Sequence, residues 1–215
     1  MKKIVPIIVL CLILMAFGSR ETTNNTGFSD TLDSQLVTII DTTGAKQFWN
    51  RLKNHCGKTY EGKIVNAPAG DDFYGKRLVM HVLSWQEDEI LIPFNVGDNR
   101  SRTWVLKYKN ERIELKHDHR HEDGTSDKVT MYGGTTSNDG LPGLAVFPAD
   151  EETATIIPAA ATNVWWITLD ETSFTYNLRR IGTDRFFSVS FDLTTEIEQP
   201  KPSWGWEDYK VTTKK

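Results

Sequence analysis

The chain has 215 residues, with 25 Lys and Arg against 29 Asp and Glu, a formal charge of −4, and 39% hydrophobic residues. That size and balance suit one domain with a full core. They exclude the basic stripe of a nucleic-acid binder, so no nucleic-acid partner is expected.

At the N-terminus, Lys2 and Lys3 precede the apolar run IVPIIVLCLILMAF, which ends in Ala16-Phe17-Gly18. A basic start, a short apolar core and small residues at its end read as a secretory signal peptide over residues 1–18. The run is shorter than the ~20 apolar residues of a spanning helix, so no stable membrane span is expected after cleavage. A lipoprotein signal would place a cysteine where Ser19 stands, and Cys11 lies inside the apolar core. The expected product is secreted or periplasmic and begins near Ser19. It keeps 197 residues, with 23 basic against 29 acidic side chains and a charge of −6. Its one cysteine, Cys56, leaves no internal disulfide and is expected as a half-buried thiol rather than as the partner of His55.

Residues 19–35 are polar without apolar period and read as a flexible leader. A helix comes next: Thr42 or Thr43 caps it, AKQFWNRLKNH fills it with Phe48, Trp49 and Leu52 on one face, and Gly57 marks its stop. From there the period is two. Strands are expected near 59–65, 77–85, 89–95, 102–108, 111–121, 128–133, 153–157 and 164–169. The clearest hairpin comes last. Phe174, Tyr176 and Leu178 alternate with polar residues, and after the turn IGTD so do Phe187, Val189, Phe191 and Leu193. The segment 135–150 reads as a long loop, able to lid one mouth. Trp165 and Trp166 must point to opposite faces, with PSWGW near the C-terminus as the expected cover for the outer one. These readings set the domain at 36–207 and a tail at 208–215.

Short alternating strands with no helices between them give an all-β fold. The expected architecture is an antiparallel meander closing into a barrel with one short N-terminal helix, because closure removes exposed edges; a β-sandwich is the alternative. The short helix running into CGKTYEGK resembles the opening of lipocalin-like (calycin) barrels, although Lys58, Thr59 and Tyr60 replace the usual residues after Gly57. The segments GKRLVMHVLSW, EILIPFNVGDNRSRTWVL, LKHDHRHEDG, VTMYGGTT, FPAD, YNLRRIGTDRFFSVSFDL and PSWGW together resemble a family of secreted bacterial proteins of uncharacterised activity. That resemblance spans residues 57–206. It implies export and a single domain, and it carries over no functional residue.

The stretch LKHDHRHEDG holds the chemistry. Read as one strand over 111–122, one face runs Ile113, Leu115, His117, His119, His121. The other runs Arg112, Glu114, Lys116, Asp118, Arg120, Glu122 and belongs in water. The histidines therefore continue the inward face toward the barrel end. Pairing Glu122 with Lys128 would set His119 against Met131 and His121 against Val129. His81, if it opposes Phe94, would also point inward. The outer two of the three histidines lie ~13 Å apart on a straight strand, and zinc–nitrogen bonds span only ~2.0–2.1 Å. A divalent metal such as zinc would then take a neighbouring pair plus an outside ligand. A cupin site is excluded, since its glycine and glutamate positions are unmatched here. The alternative to a metal is a wet polar rim.

The metal candidates are thus His117, His119, His121 and His81, with zinc as the cofactor they would hold. The leading expectation is an exported barrel that binds a small-molecule ligand, with or without a metal at its mouth. The rival is a metal-dependent hydrolase using Glu122 or Asp123 as base. A surface interaction module carried by outward Trp residues is the third. Nothing in the sequence indicates the oligomeric state.

Overall fold

A Thr or Asp side chain that accepts a backbone N–H can start a helix, and both α-helices among the described residues begin this way. The computed structural model describes residues 42–209; the expected signal peptide and leader lie outside the described residues. Helix α1 spans Gly44–Lys53, and the Thr43 hydroxyl accepts from the Lys46 N–H. Ala45, Phe48, Trp49 and Leu52 form its buried face, as the spacing predicts. Trp49 packs 5.7 Å from Tyr108, so the helix plugs one end of the strand assembly.

The strands are β1 (Thr59–Asn66), β2 (Leu78–His81), β3 (Ser84–Trp85), β4 (Glu89–Val96), β5 (Asn99–Lys109), β6 (Arg112–His119), β7 (Tyr132–Thr135), β8 (Leu144–Pro148), β9 (Asn163–Leu169), β10 (Ser173–Arg180) and β11 (Phe186–Glu196). Their spatial order is β7-β6-β5-β4-β2-β1-β11-β10-β9-β8, all antiparallel, with β3 beside β4. Ten strands thus form a nearly closed barrel, as expected. Of the predicted inward set, Ile113, Leu115, Phe174, Tyr176, Phe187, Val189 and Phe191 join the core, and Leu178 packs against it partly buried. In the last hairpin Phe174 pairs with Phe191, Tyr176 with Val189 and Leu178 with Phe187.

The barrel's seam lies between β7 and β8. Gly134 sits against the carbonyl of Pro148, so close that a Cβ would lie 1.8 Å from that oxygen. The Asp150 N–H donates to the Gly133 carbonyl at 3.1 Å, and the Thr153 hydroxyl bridges the Gly133 N–H and C=O at 2.6 and 2.8 Å. Proline has no N–H to give a ladder, which suits it to an edge. The two glycines after Tyr132 are therefore a close-approach device, Gly133 against the Leu115 carbonyl and Gly134 against that of Pro148.

Two segments differ from expectation. Residues 153–157, expected as a strand, instead fall in helix α2 (Glu151–Ile156) and its C-cap, Ile157. Asp150 caps it by accepting from the Thr153 N–H, and Glu151 and Glu152 fill the first turn, where acidic residues favour the helix dipole. The strand expected there is instead β8, drawn from the supposed loop 135–150.

Two residues of the charged face expected in water are buried instead. Lys116 and Asp118 are only 6% and 4% exposed. Helix α2 covers Lys116, whose Nζ lies 2.8 Å from Asp150 and 2.5 Å from Glu152. Burial alone would lower the Lys116 pKa, but hydrogen bonds to those carboxylates more than offset it and raise it. The C-terminal segment covers Asp118, which accepts from Arg120 at 2.8 Å and from the Trp206 indole at 3.0 Å. Trp206 and Tyr209 pack on the outer apolar cluster Leu83, Leu91 and Val105. PSWGW therefore straps the outside of β4 to β6 rather than Trp166, which stacks instead on Phe186 at 6.0 Å. Trp165 points inward and is buried.

Because Asp150 both caps α2 and pairs with Lys116, Asp150→Ala should cost about 2 to 3 kcal/mol, the sum of a lost cap and a half-orphaned buried cation. Urea unfolding of the variant checks this; a cost under ~0.5 kcal/mol would show that α2 does not seal Lys116.

Candidate functional site: the barrel mouth

Opposite the end plugged by α1 lie five connections: the β1–β2 loop, the β4–β5 turn, the β6–β7 loop, the β8–β9 connection and the β10–β11 turn. The pleat sends alternate residues inward here. Arg102 pairs with His119 and Trp104 with His117 across β5 and β6, while Phe94 pairs with Arg102 across β4 and β5. His117 in turn pairs with Tyr132 of β7. Together with Tyr176, Leu178 and Phe187 from β10 and β11, these residues line a cavity of about 120 Å³. Asp71 and Phe73 from the β1–β2 loop and Arg185 from the last turn complete its rim.

The floor is aromatic. Trp104 is stacked between Phe94 at 4.9 Å and Tyr176 at 4.6 Å. The His117 ring lies flat on Tyr132, with centroids 4.7 Å apart and planes at 10°.

His117 is 5% exposed, and both ring nitrogens are used. Nδ1 lies 3.0 Å from the Tyr132 carbonyl and Nε2 lies 2.7 Å from the Tyr176 hydroxyl. A carbonyl only accepts, so Nδ1 carries the proton and Nε2 accepts from Tyr176. Burial pushes the His117 pKa down to about 3. It pushes Tyr132 up to about 12 and Tyr176 well above its ordinary value. His119 Nε2 lies 3.1 Å from the Tyr132 hydroxyl. Burial, and then the Arg102 charge, lower its pKa to about 4. At neutral pH the two histidines and two tyrosines are therefore uncharged, and the charges lining the cavity are the two guanidiniums and Asp71.

The four histidines singled out from the sequence do not converge. His117 and His119 share the cavity. His121 lies beyond the end of β6 and is exposed, because β6 stops at His119 and the chain turns at once, with the His121 N–H donating to Thr125 and the Gly124 N–H returning to His121. The expected register also fails: His117 pairs with Tyr132 and Arg120 bridges Ser126, so the return strand bulges over residues 127–131, with Met131 at φ 56°. His81 faces away from the core. Met80, not His81, opposes Phe94. His81 Nδ1 lies 2.9 Å from the Thr59 hydroxyl, on the other side of the sheet from Tyr60 and Met80. Among the described residues no group of three or more His, Cys, Asp or Glu side chains is placed to hold a metal ion. Of the bases considered, Asp123 closes its own turn through Thr125, and Glu122 is exposed. Cys56 is half-buried, and the His55 ring bonds the Tyr60 hydroxyl at 2.7 Å.

Arg102, Tyr132, Arg185 and Phe73 are site residues that sequence reasoning missed. Arg102 was within reach, since it shares the inward parity of Trp104 and Leu106. Tyr132 was not, because its place depends on the 127–131 bulge. No family model matches this chain, and no curated protein or solved structure matches it.

Proposed function

We propose that the protein is an exported, lipocalin-like β-barrel that holds a small ligand in its mouth cavity. The observation that carries this reading is the cavity itself, an aromatic floor under a polar rim, which is the usual composition of a small-molecule site. Its volume of about 120 Å³ sets the scale. A cavity of ~150 Å³ accommodates benzene, so the buried part of the ligand is one ring or a chain end. A metal-dependent hydrolase has less support. The lone pair that His117 would offer is on Nε2, which the Tyr176 hydroxyl occupies.

Titration with benzamide, a neutral single-ring probe, tests the reading by NMR. The Trp104 indole resonance should shift in a saturable way. Leu178→Trp, which fills the cavity, should remove the response. No saturable shift in the unmodified protein, or an unchanged response in Leu178→Trp, would sink it.

A further inference from the structure

We infer that the ligand of this cavity carries an anionic head, a carboxylate on a planar ring or short apolar body, gripped by Arg102 with Arg185 at the entrance. The inference rests on the small-ligand reading above and adds the chemical class.

Arg102 is the uncommon feature. It projects from the inner face of β5, between Phe94 and His119, where an apolar side chain would ordinarily stand. A half-buried guanidinium normally has a carboxylate against it. Arg102 has none within ion-pairing distance among the described residues, whereas Arg77, Arg112 and Arg120 each have one. Its Nη1 donates to the Asn99 side chain at 3.0 Å and the Ser101 hydroxyl at 3.3 Å. Its Cζ lies 5.0 Å from the centroid of the Phe73 ring. Those neutral contacts hold the group in place, and among the described residues no side chain or backbone acceptor meets Nε or Nη2. Neither atom is among the fully buried polar atoms that lack a partner, so each keeps contact with solvent.

The surroundings favour an anion over a cation. Asp71 is the one carboxylate lining the cavity, and its Oδ1 accepts from the Phe73 N–H at 3.0 Å, closing its own turn. Arg185 is exposed at the rim and forms no ion pair among the described residues. Two guanidiniums line the cavity against the one turn-bound carboxylate of Asp71, while Asp72 and Asp127 act on Arg102 and His119 from outside the lining. A guanidinium fork matches a carboxylate in two parallel hydrogen bonds, and the match is stronger out of bulk water. Below it, the stacked Phe94, Trp104 and Tyr176 rings offer a flat apolar wall for the ligand's body.

The test compares benzoate with benzamide, which share a ring and nearly share a shape. Calorimetry on the full exported chain should show benzoate binding at least about tenfold more tightly, the discrimination expected of a charge-assisted pair. Arg102→Met should abolish that preference and leave benzamide binding within about twofold, while Arg102→Lys should retain part of it because the charge survives without the fork. Arg185→Gln, at an exposed position, should mainly flatten the salt dependence. Thermal unfolding shows whether each variant is folded, and Arg102→Lys serves if Arg102→Met is not. Benzamide binding as tightly as benzoate to the unmodified protein would overturn the anion inference and leave the pocket reading intact. Binding of neither probe would overturn both. An undiminished benzoate preference in Arg102→Met would show that Arg102 is not the anchor.

Discussion

Lowering the pH from 7.5 to 4.5 should destabilise this protein steeply, and His117→Gln should blunt the fall. The His117 ring is held neutral in the fold with a pKa of about 3, against an ordinary value of 6.5. Between those values the unfolded chain binds a proton that the folded chain does not, so stability must rise with pH across that window. The contribution is complete above the unfolded value, declines as pH drops through 6, and levels off only near the folded value. One bound proton corresponds to ~1.4 kcal/mol per pH unit, so His117 should account for about 2 to 3 kcal/mol by pH 4.5. His119, lowered to about 4, adds to the same slope from a wetter position, and His55 and His81 are lowered by burial as well. Glutamine can still accept from Tyr176 and donate to the Tyr132 carbonyl but cannot be protonated. The variant should begin less stable at pH 7.5 and lose less on acidification. Urea unfolding at several pH values measures both slopes. Parallel slopes in the two proteins would mean that the His117 ring is not held neutral and buried.

Gly134→Ala should be among the most damaging single-methyl changes in the barrel, alongside Gly133→Ala, at about 3 kcal/mol or more. The added carbon would lie 1.8 Å from the Pro148 carbonyl oxygen, a backbone atom that cannot swing away. Strands β7 and β8 must then separate. The Asp150–Gly133 hydrogen bond and the two Thr153 bonds that close the seam would lengthen with them. In a protein of this size that corresponds to a fall in melting temperature of roughly 6 to 12 °C. Gly70→Ala is the control. Its backbone is left-handed, but nothing lies within 4 Å of the new carbon, so only the conformational penalty of about 1 kcal/mol applies. If calorimetry finds the two variants equally stable, the seam is not closed by contact at Gly134.

Local pattern was enough to write most of the barrel. Alternation of period two placed Phe174, Tyr176, Phe187, Val189 and Phe191 on the inner face, and the amphipathic turn of Phe48, Trp49 and Leu52 placed the helix, because burial of one face requires those periods. The sequence by itself also put His117 and His119 at the inner end of a strand. It failed where the partner of a residue is distant in the chain. Residues 153–156 have strand-forming side chains, yet the cap at Asp150 and the fit of Thr153 against Gly133 made them part of a helix. Lys116 and Asp118 have outward parity, yet α2 and the strap at Trp206 bury them; parity tells which side a residue faces, not what covers that side. His81 and His121 fell away from the cluster through a one-residue register difference and an early turn, and in a sheet a shift of one residue exchanges the faces. Only the closed barrel decided that Arg102, Arg185, Tyr132 and Tyr176 meet around one cavity. They come from four separate strands and turns, and nothing in their spacing along the chain encodes the curvature that brings them together.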